Sequence, residues 1–306
     1  MKHNVGIVVV SYNSANELKE CVSKAQAAIT KAGVDGNVVV VDNNSKDNSV
    51  KLCKSLKVEC IANKDNRGFS IAVNQGIKRL FELEATDILI LNPDAMMDKE
   101  SLKFMMTDLD QNEDIGAVGP SMFDEGGKST TGGYYLKAPS WYSVMFFSTF
   151  LRPFFIKRPF FVNHFYQETI HDESRTVEQI PGACLLVPRA VLEDIGLLDE
   201  DFAIWFEDVE WCYRARKNGY KLWFCAPAKV VHEGGVSFSK WQSLDKAVTF
   251  YVSMRTFFVK HKPVSSLLVQ LVLIGNSLAL YLKSRDKSNL VFIKRYLKQK
   301  KGVLPS

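Results

Sequence analysis

VGIVVVSYNSANELKECVSKAQAAITKAGVDGNVVVVDNNS, residues 5–45, decides the fold. Val5 to Val10 and Val38 to Val41 are apolar, valine-rich runs of the kind found in strands buried on both faces. Between them Leu18, Cys21, Val22, Ala25 and Ile29 recur at helical spacing. Working outward, Val58 to Ile61 and Ile88 to Leu91 repeat the strand pattern, and Ile71, Asn74, Ile77, Lys78 and Phe81 mark a second helix. This βαβα rhythm predicts an α/β fold with a largely parallel sheet and helices packed on it.

In such sheets ligands bind outside the carboxyl ends of the strands. Three of the strands run directly into polar residues: Ser11-Tyr12-Asn13-Ser14, Asp42-Asn43-Asn44-Ser45 and Asn92-Pro93-Asp94. Each is an ordinary loop by itself; together they outline a pocket on one edge. No GxGxxG follows the first strand and no GxxxxGK[ST] occurs, which counts against dinucleotide dehydrogenases and P-loop enzymes. A Mg2+ or Mn2+ ion held by Asp94 would be another way to manage phosphates, because such ions favour oxygen ligands.

A second feature is an acidic knot among aromatic rings, Trp205-Phe206-Glu207-Asp208-Val209-Glu210-Trp211, with His232 further on. Carboxylates crowded by large rings are costly unless paired, metal-bound or poised to accept a proton. They also suit the first turn of a helix. Val209, Cys212, Tyr213 and Arg216 lie at helical spacing and Gly219 is placed as a C-cap, so the knot reads equally as a helix start and as an active site.

At 306 residues with 46% hydrophobic content, the chain can bury one large domain plus an appendage, or two domains. Its six cysteines form no CxxC pair, which points to a reduced, cytoplasmic setting. The run Val5 to Val10 is too short for a signal-peptide core and reads as a strand. Charge is unevenly distributed: from Lys240 onward 13 Lys and Arg face two Asp, a net +11, which leaves −6 of the overall +5 for residues 1–239.

IVVVSYNS (7–14), VVVVDNNSKDNS (38–49), NRGFSIAVNQG (66–76), LILNPDA (89–95), PGACLLVPR (181–189), FEDVEWCYRARKNGY (206–220) and VVHEGG (230–235) occur in an order that resembles family 2 glycosyltransferases of the GT-A fold. The wording is most similar to bacterial rhamnosyltransferase-like enzymes of surface polysaccharide assembly. The resemblance implies a catalytic domain over 1–239 and a donor site built from Ser11, Tyr12, Asn13, Asp42, Asn43, Arg67, Gly68 and Asn92. Arg67 pairs with a phosphate or with Asp42, or is a solvated charge. Asp94 matches the last aspartate of the family's DxD metal motif, with Asn92 where the first Asp often stands, and His232 matches its metal-ligating histidine. Asp208 matches the catalytic base, which a helix's first turn is expected to keep ionised; Glu207 stands beside it. Gly182, Ala183, Trp205 and Glu210 are expected at the sugar or acceptor, with holding the loop as the alternative for Glu207 and Glu210.

Residues 139–166 are crowded with rings beside Arg152, Lys157 and Arg158, a composition that suits the bilayer interface. Val264 to Leu282 is apolar and flanked by cations, with Gln270 and Asn276 weakening a spanning assignment. The sequence therefore predicts a basic helical region, 240–306, that lies at an anionic membrane surface on its cytoplasmic face or packs on the catalytic domain. No nucleic-acid recognition motif accompanies the basic tail. The expected reaction is inverting transfer of a sugar from dTDP-rhamnose, or from a UDP-sugar, onto a polyprenyl-diphosphate-linked saccharide. A catalytically silent nucleotide-binding scaffold is the competing class, and homo-oligomerisation stays open.

Overall fold

The computed structural model describes residues 3–147, 173–232 and 242–304. Most of the aromatic segment 139–166, the two glycines of VVHEGG and the domain boundary expected at 239 lie outside the described residues.

Among the described residues nine strands form one sheet: β1 Asn4–Ser11, β2 Asp35–Asp42, β3 Glu59–Ala62, β4 Asp87–Leu91, β5 Ala95–Met97, β6 Ile115–Phe123, β7 Arg175–Val177, β8 Cys184–Pro188 and β9 Lys221–His232. Their order is β3-β2-β1-β4-β8-β6-β9-β5, with β7 also paired to β9. The β3-β2-β1-β4 half is wholly parallel, as the alternation predicts. Strand β8 runs antiparallel between β4 and β6, and β6 pairs in parallel with β9, so six of the nine described strands share one direction. The sheet is mixed and mostly parallel.

The opening stretch folds as its periodicities require. Seven of the eight β1 residues are buried. Helix α1 (Ala15–Ala32) seals the sheet with Leu18, Cys21, Val22, Ala25, Ala28 and Ile29, and α2 (Ser49–Ser55) follows β2. The second predicted helix is α3 (Phe69–Glu82), packed on β1 and β2. Helices α4 (Ser101–Gln111), α5 (Thr131–Tyr134), α6 (Trp141–Phe147) and α7 (Arg189–Ile195) follow. The acidic knot starts α8 (Glu207–Lys217), and Gly219, at φ +92°, lets the chain leave that helix.

Register fixes the functional edge. Ser11 pairs with Asp42 and Val9 with Leu91, so the polar residues after β1, β2 and β4 emerge side by side. Because β8 is antiparallel, its beginning lies at this same edge: Cys184 pairs with Leu91, and Asn92 N–H donates to the Ala183 carbonyl at 2.9 Å. The β5–β9 pairing places Ala95 opposite His232, which brings Asp94 and His232 together across the sequence.

A second apolar core lies beyond the sheet. Helices α9 (Ser243–His261), α10 (Pro263–Ser284) and α11 (Ser288–Lys298) pack together and onto the knot through Phe202, Phe206, Val248, Val252, Phe257, Phe258, Val269, Leu273, Phe292 and Tyr296. Helix α10 is apolar on its buried and its outer face alike. Its buried stripe is Ser266, Val269, Leu273 and Ser277, whereas Val264, Leu267, Leu268, Leu271, Leu278 and Leu282 are exposed. Its length and composition would let it cross a membrane.

Candidate active site

A cleft of about 690 Å3 opens at the carboxyl edge of the sheet. It gathers Tyr12, Asn43, Gly68, Asn92, Asp94, Gly182, Ala183, Trp205, Glu207, Asp208 and His232, eleven residues singled out from the sequence. Ser11, Asn13, Asp42, Arg67 and Glu210, expected with them, do not line it.

The knot enters the cleft through a strained turn. Trp205 and Phe206 have φ of +59° and +69°, a left-handed backbone that bulky residues rarely adopt. Packing holds them there: Phe250 of α9 lies 6.1 Å from the Trp205 ring and 5.4 Å from the Phe206 ring, and Ser253 donates to the Ile204 carbonyl at 2.8 Å. From the other side, the Phe69 N–H donates to the Ala203 carbonyl at 2.6 Å, and Asn74 exchanges hydrogen bonds with the Leu198 backbone. Gly68, expected to admit a ligand, admits this loop as well: a Cβ there would lie 2.9 Å from the Ala203 oxygen.

Asp208 follows in the first helical turn. Its two carboxylate oxygens accept from the Gly182 N–H at 2.8 Å and the Val209 N–H at 2.7 Å. A side chain at position 182 would crowd it, the added Cβ lying 3.3 Å from that of Asp208. Burial nevertheless raises the Asp208 proton affinity above the ordinary aspartate range, against those backbone bonds. The helix start, expected to keep Asp208 ionised, is thus opposed by burial. Glu207 is raised well above the ordinary glutamate range, first by burial and then by the charge of Asp208, and among the described residues its Oε2 has no hydrogen-bond partner. Of the two neighbours, Glu207 retains the proton longer.

Glu210, expected at the acceptor, turns away from the cleft. It is 1% exposed; both carboxylate oxygens accept from Arg214 Nε at 2.9 Å, and Oε1 is 3.0 Å from His261 Nε2. Arg214 continues to the Ile195 and Leu197 carbonyls. Two residues past Asp208, Glu210 points to the other side of α8 from that carboxylate, where it clasps α8 to the end of α9.

At the cleft floor His232 Nε2 lies 3.2 Å from Asp94 Oδ1, and Nδ1 lies 2.9 Å from the Tyr134 hydroxyl. A carboxylate only accepts, so in the neutral ring Nε2 carries the proton and Nδ1 accepts from Tyr134. An oxygen and an imidazole nitrogen converging on an open cleft fit Mg2+ or Mn2+. Among the described residues no group of three His, Cys, Asp or Glu side chains is placed to hold a metal ion, so further ligands would come from substrate.

The remaining expected donor residues brace the edge. Asp42 is buried; its Oδ2 accepts from the Ser45 N–H at 2.9 Å, which folds the second loop back on the strand end, while Oδ1 has no partner among the described residues. Ser11 bonds Ser14 at 3.0 Å, and Asn13 ties the first loop to the second through Lys46 and Ser45. Asn43 donates to the Gly68 carbonyl at 3.0 Å. Arg67 is exposed and lines an adjoining groove with Tyr12, Asn66 and Leu304. Tyr134, Gln179, Lys246 and Leu304 also line the main cleft; no sequence pattern marks them.

The strained proton balance of the knot is measurable. An unfolded glutamate titrates near about 4.3, whereas folding raises Glu207, so its contribution is fully present below that pH and is lost as pH rises through the folded value. Glu207→Gln is expected to raise Tm by about 2–5 °C at pH 8 and by nothing near pH 4, read by thermal unfolding across pH.

Comparison with known proteins follows from this geometry. A family model described as Glycosyl transferase family 2 matches residues 6–175. The low-salt glycan biosynthesis hexosyltransferase Agl10 of Haloferax volcanii is 25% identical over 87% of this chain and 78% of its own. The N-acetylglucosaminyl-diphospho-decaprenol L-rhamnosyltransferase of Mycobacterium tuberculosis is 25% identical over 74% of this chain and 75% of its own. The dTDP-rhamnosyl transferase RfbF of Shigella flexneri is 27% identical over 77% and 71%. Among solved structures, the Pyrobaculum calidifontis mannosyltransferase PcManGT with GDP-Man and Mn2+ superposes with a TM-score of 0.57 at 15% identity, over 95% of this chain and 74% of that one, in keeping with a GT-A fold. The family match spans more than half the chain, which carries the family's motifs along its sheet edge; the protein belongs to glycosyl transferase family 2.

Proposed function

We propose that this glycosyltransferase inverts the anomeric centre of a nucleotide sugar, dTDP-rhamnose first among donors, as it extends a polyprenyl-diphosphate-linked saccharide. The observation that carries the reading is Asp208, held by the Gly182 and Val209 N–H groups in the cleft that also contains Asp94 and His232. Asp208 accepts the proton of the acceptor hydroxyl while that oxygen bonds to the anomeric carbon. The bond to the nucleoside diphosphate breaks on the opposite face. Burial raises the proton affinity of Asp208, which makes it a stronger base than a solvated aspartate. Glu207, more readily protonated, keeps the pair from carrying two adjacent buried charges. Asp94 and His232 would hold a divalent cation, which supplies charge neutralisation for the departing diphosphate. The free Asp42 Oδ1 supports a polar contact to the donor nucleoside near the second loop.

The choice of rhamnose and of a lipid-linked acceptor draws on the names of the mycobacterial and Shigella relatives. Membrane association is supported by α10. A helix packed through Ser266, Val269, Leu273 and Ser277 with six further apolar side chains outward suits lipid better than water, and Lys283 in its last turn is followed by Arg285 and Lys287. Such an enzyme would work at the cytoplasmic face of the membrane.

Incubating the protein with membrane extract and dTDP-rhamnose, UDP-glucose, UDP-N-acetylglucosamine or UDP-galactofuranose, with and without Mg2+ or Mn2+, fixes donor and metal together. Metal-dependent release of dTDP is expected. Turnover restricted to a UDP-sugar would reassign the donor, and none with any donor would favour a silent scaffold. In vesicle flotation, the protein is expected to rise with anionic liposomes. Replacing Leu267, Leu271 and Leu278 together by Gln should reduce the floated fraction at least several-fold, and unchanged flotation would contradict the lipid-facing assignment.

A further inference from the structure

We infer that Lys246 binds a diphosphate group of one of the two substrates at the cleft wall. This rests on the proposed use of a nucleoside-diphosphate donor and a lipid-diphosphate acceptor, and adds a residue to it. The surplus of positive charge after residue 240 is largely accounted for elsewhere. Lys260 pairs with Asp199 and Asp201, Lys301 with Asp201 and Arg295 with Asp245. Arg255 donates to the Tyr296 and Gln299 carbonyls and Lys262 to that of Pro139. The cations at the far end of α10 are solvated.

Lys246 differs from all of these. It is the one Lys or Arg that lines the cleft among the described residues, and its side chain is half-buried with no ion pair among them. Its orientation follows from helical spacing. Lys246, Phe250 and Ser253 share one face of α9, and the last two contact the Ile204–Phe206 turn directly. The same face therefore presents the Lys246 ammonium at the rim of the cleft beside Trp205.

The wall it joins carries Asp94, Glu207 and Asp208. Among the described residues Lys246 forms no ion pair: Asp94 pairs with His232 and the neighbouring Asp245 with Arg295. An ammonium in that position favours an anion of substrate. Phosphate oxygens give it short charge-assisted hydrogen bonds, and both substrates bring a diphosphate.

Isothermal titration of the full chain with dTDP, UDP and farnesyl diphosphate separates the two sources. Lys246→Met is expected to weaken one class, the nucleotides or the prenyl diphosphate, by about tenfold or more, while Lys246→Arg keeps binding within about threefold. Loss confined to the nucleotides assigns Lys246 to the donor, and loss confined to farnesyl diphosphate assigns it to the acceptor. Wild-type affinity of Lys246→Met for all three, or loss in Lys246→Arg equal to that in Lys246→Met, overturns the inference. A wild type active in the donor panel alongside an unaffected Lys246→Met overturns this inference alone. A wild type inactive with every donor counts against the glycosyl-transfer reading, while the titrations still decide Lys246.

Discussion

Two consecutive aromatic residues in left-handed backbone, Trp205 and Phe206, set the position of everything that follows them in the cleft. Neither residue type chooses that conformation, so the turn survives because it is gripped from both sides. Helix α3 holds the preceding loop through Phe69, Ser70 and Asn74. Helix α9 holds the rings themselves through Phe250 and Phe257. The turn ends at Glu207, so α8 begins with its first carboxylates inside the cleft and its Glu210 outside.

That arrangement makes the C-terminal helices part of the site's framework. Phe206 and Tyr213 belong to the same apolar cluster as Phe257 and Phe292, and the buried Glu210–Arg214–His261 clasp joins α8 to α9 just before α10 begins. A partly buried ion cluster of this kind contributes geometry more reliably than stability. Removing one partner would leave the others uncompensated. The leucine-lined outer face of α10 thus connects to the Asp208 helix through a few direct contacts.

The sheet was legible because it depends on local periodicity: valine runs and the Leu18–Ile29 stripe give strand and helix without reference to distant residues. The edge was legible too, since parallel strands must deliver Ser11, Asp42 and Asn92 to one side. The Asp94–His232 pairing spans 138 residues and rests on the β5–β9 register, so only the resemblance anticipated it. Which of its two expected roles Glu210 takes was not legible, because its partner His261 lies 51 residues on, beyond any local pattern. The proton affinity of Asp208 is a related case. The helix start is visible in sequence, but the burial that outweighs it comes from the fold around the knot. Lys246 and Leu304 reach the cleft by tertiary packing alone.

In the proposed reaction Asp208 takes the acceptor proton. The most direct test of this is single-turnover transfer by Asp208→Asn, an isosteric change that keeps one acceptor, for the Gly182 or the Val209 N–H, while removing the base. The account predicts a fall of about 10²–10⁴-fold in the transfer rate with donor affinity within a few fold of wild type. Transfer at the wild-type rate by that variant would contradict it.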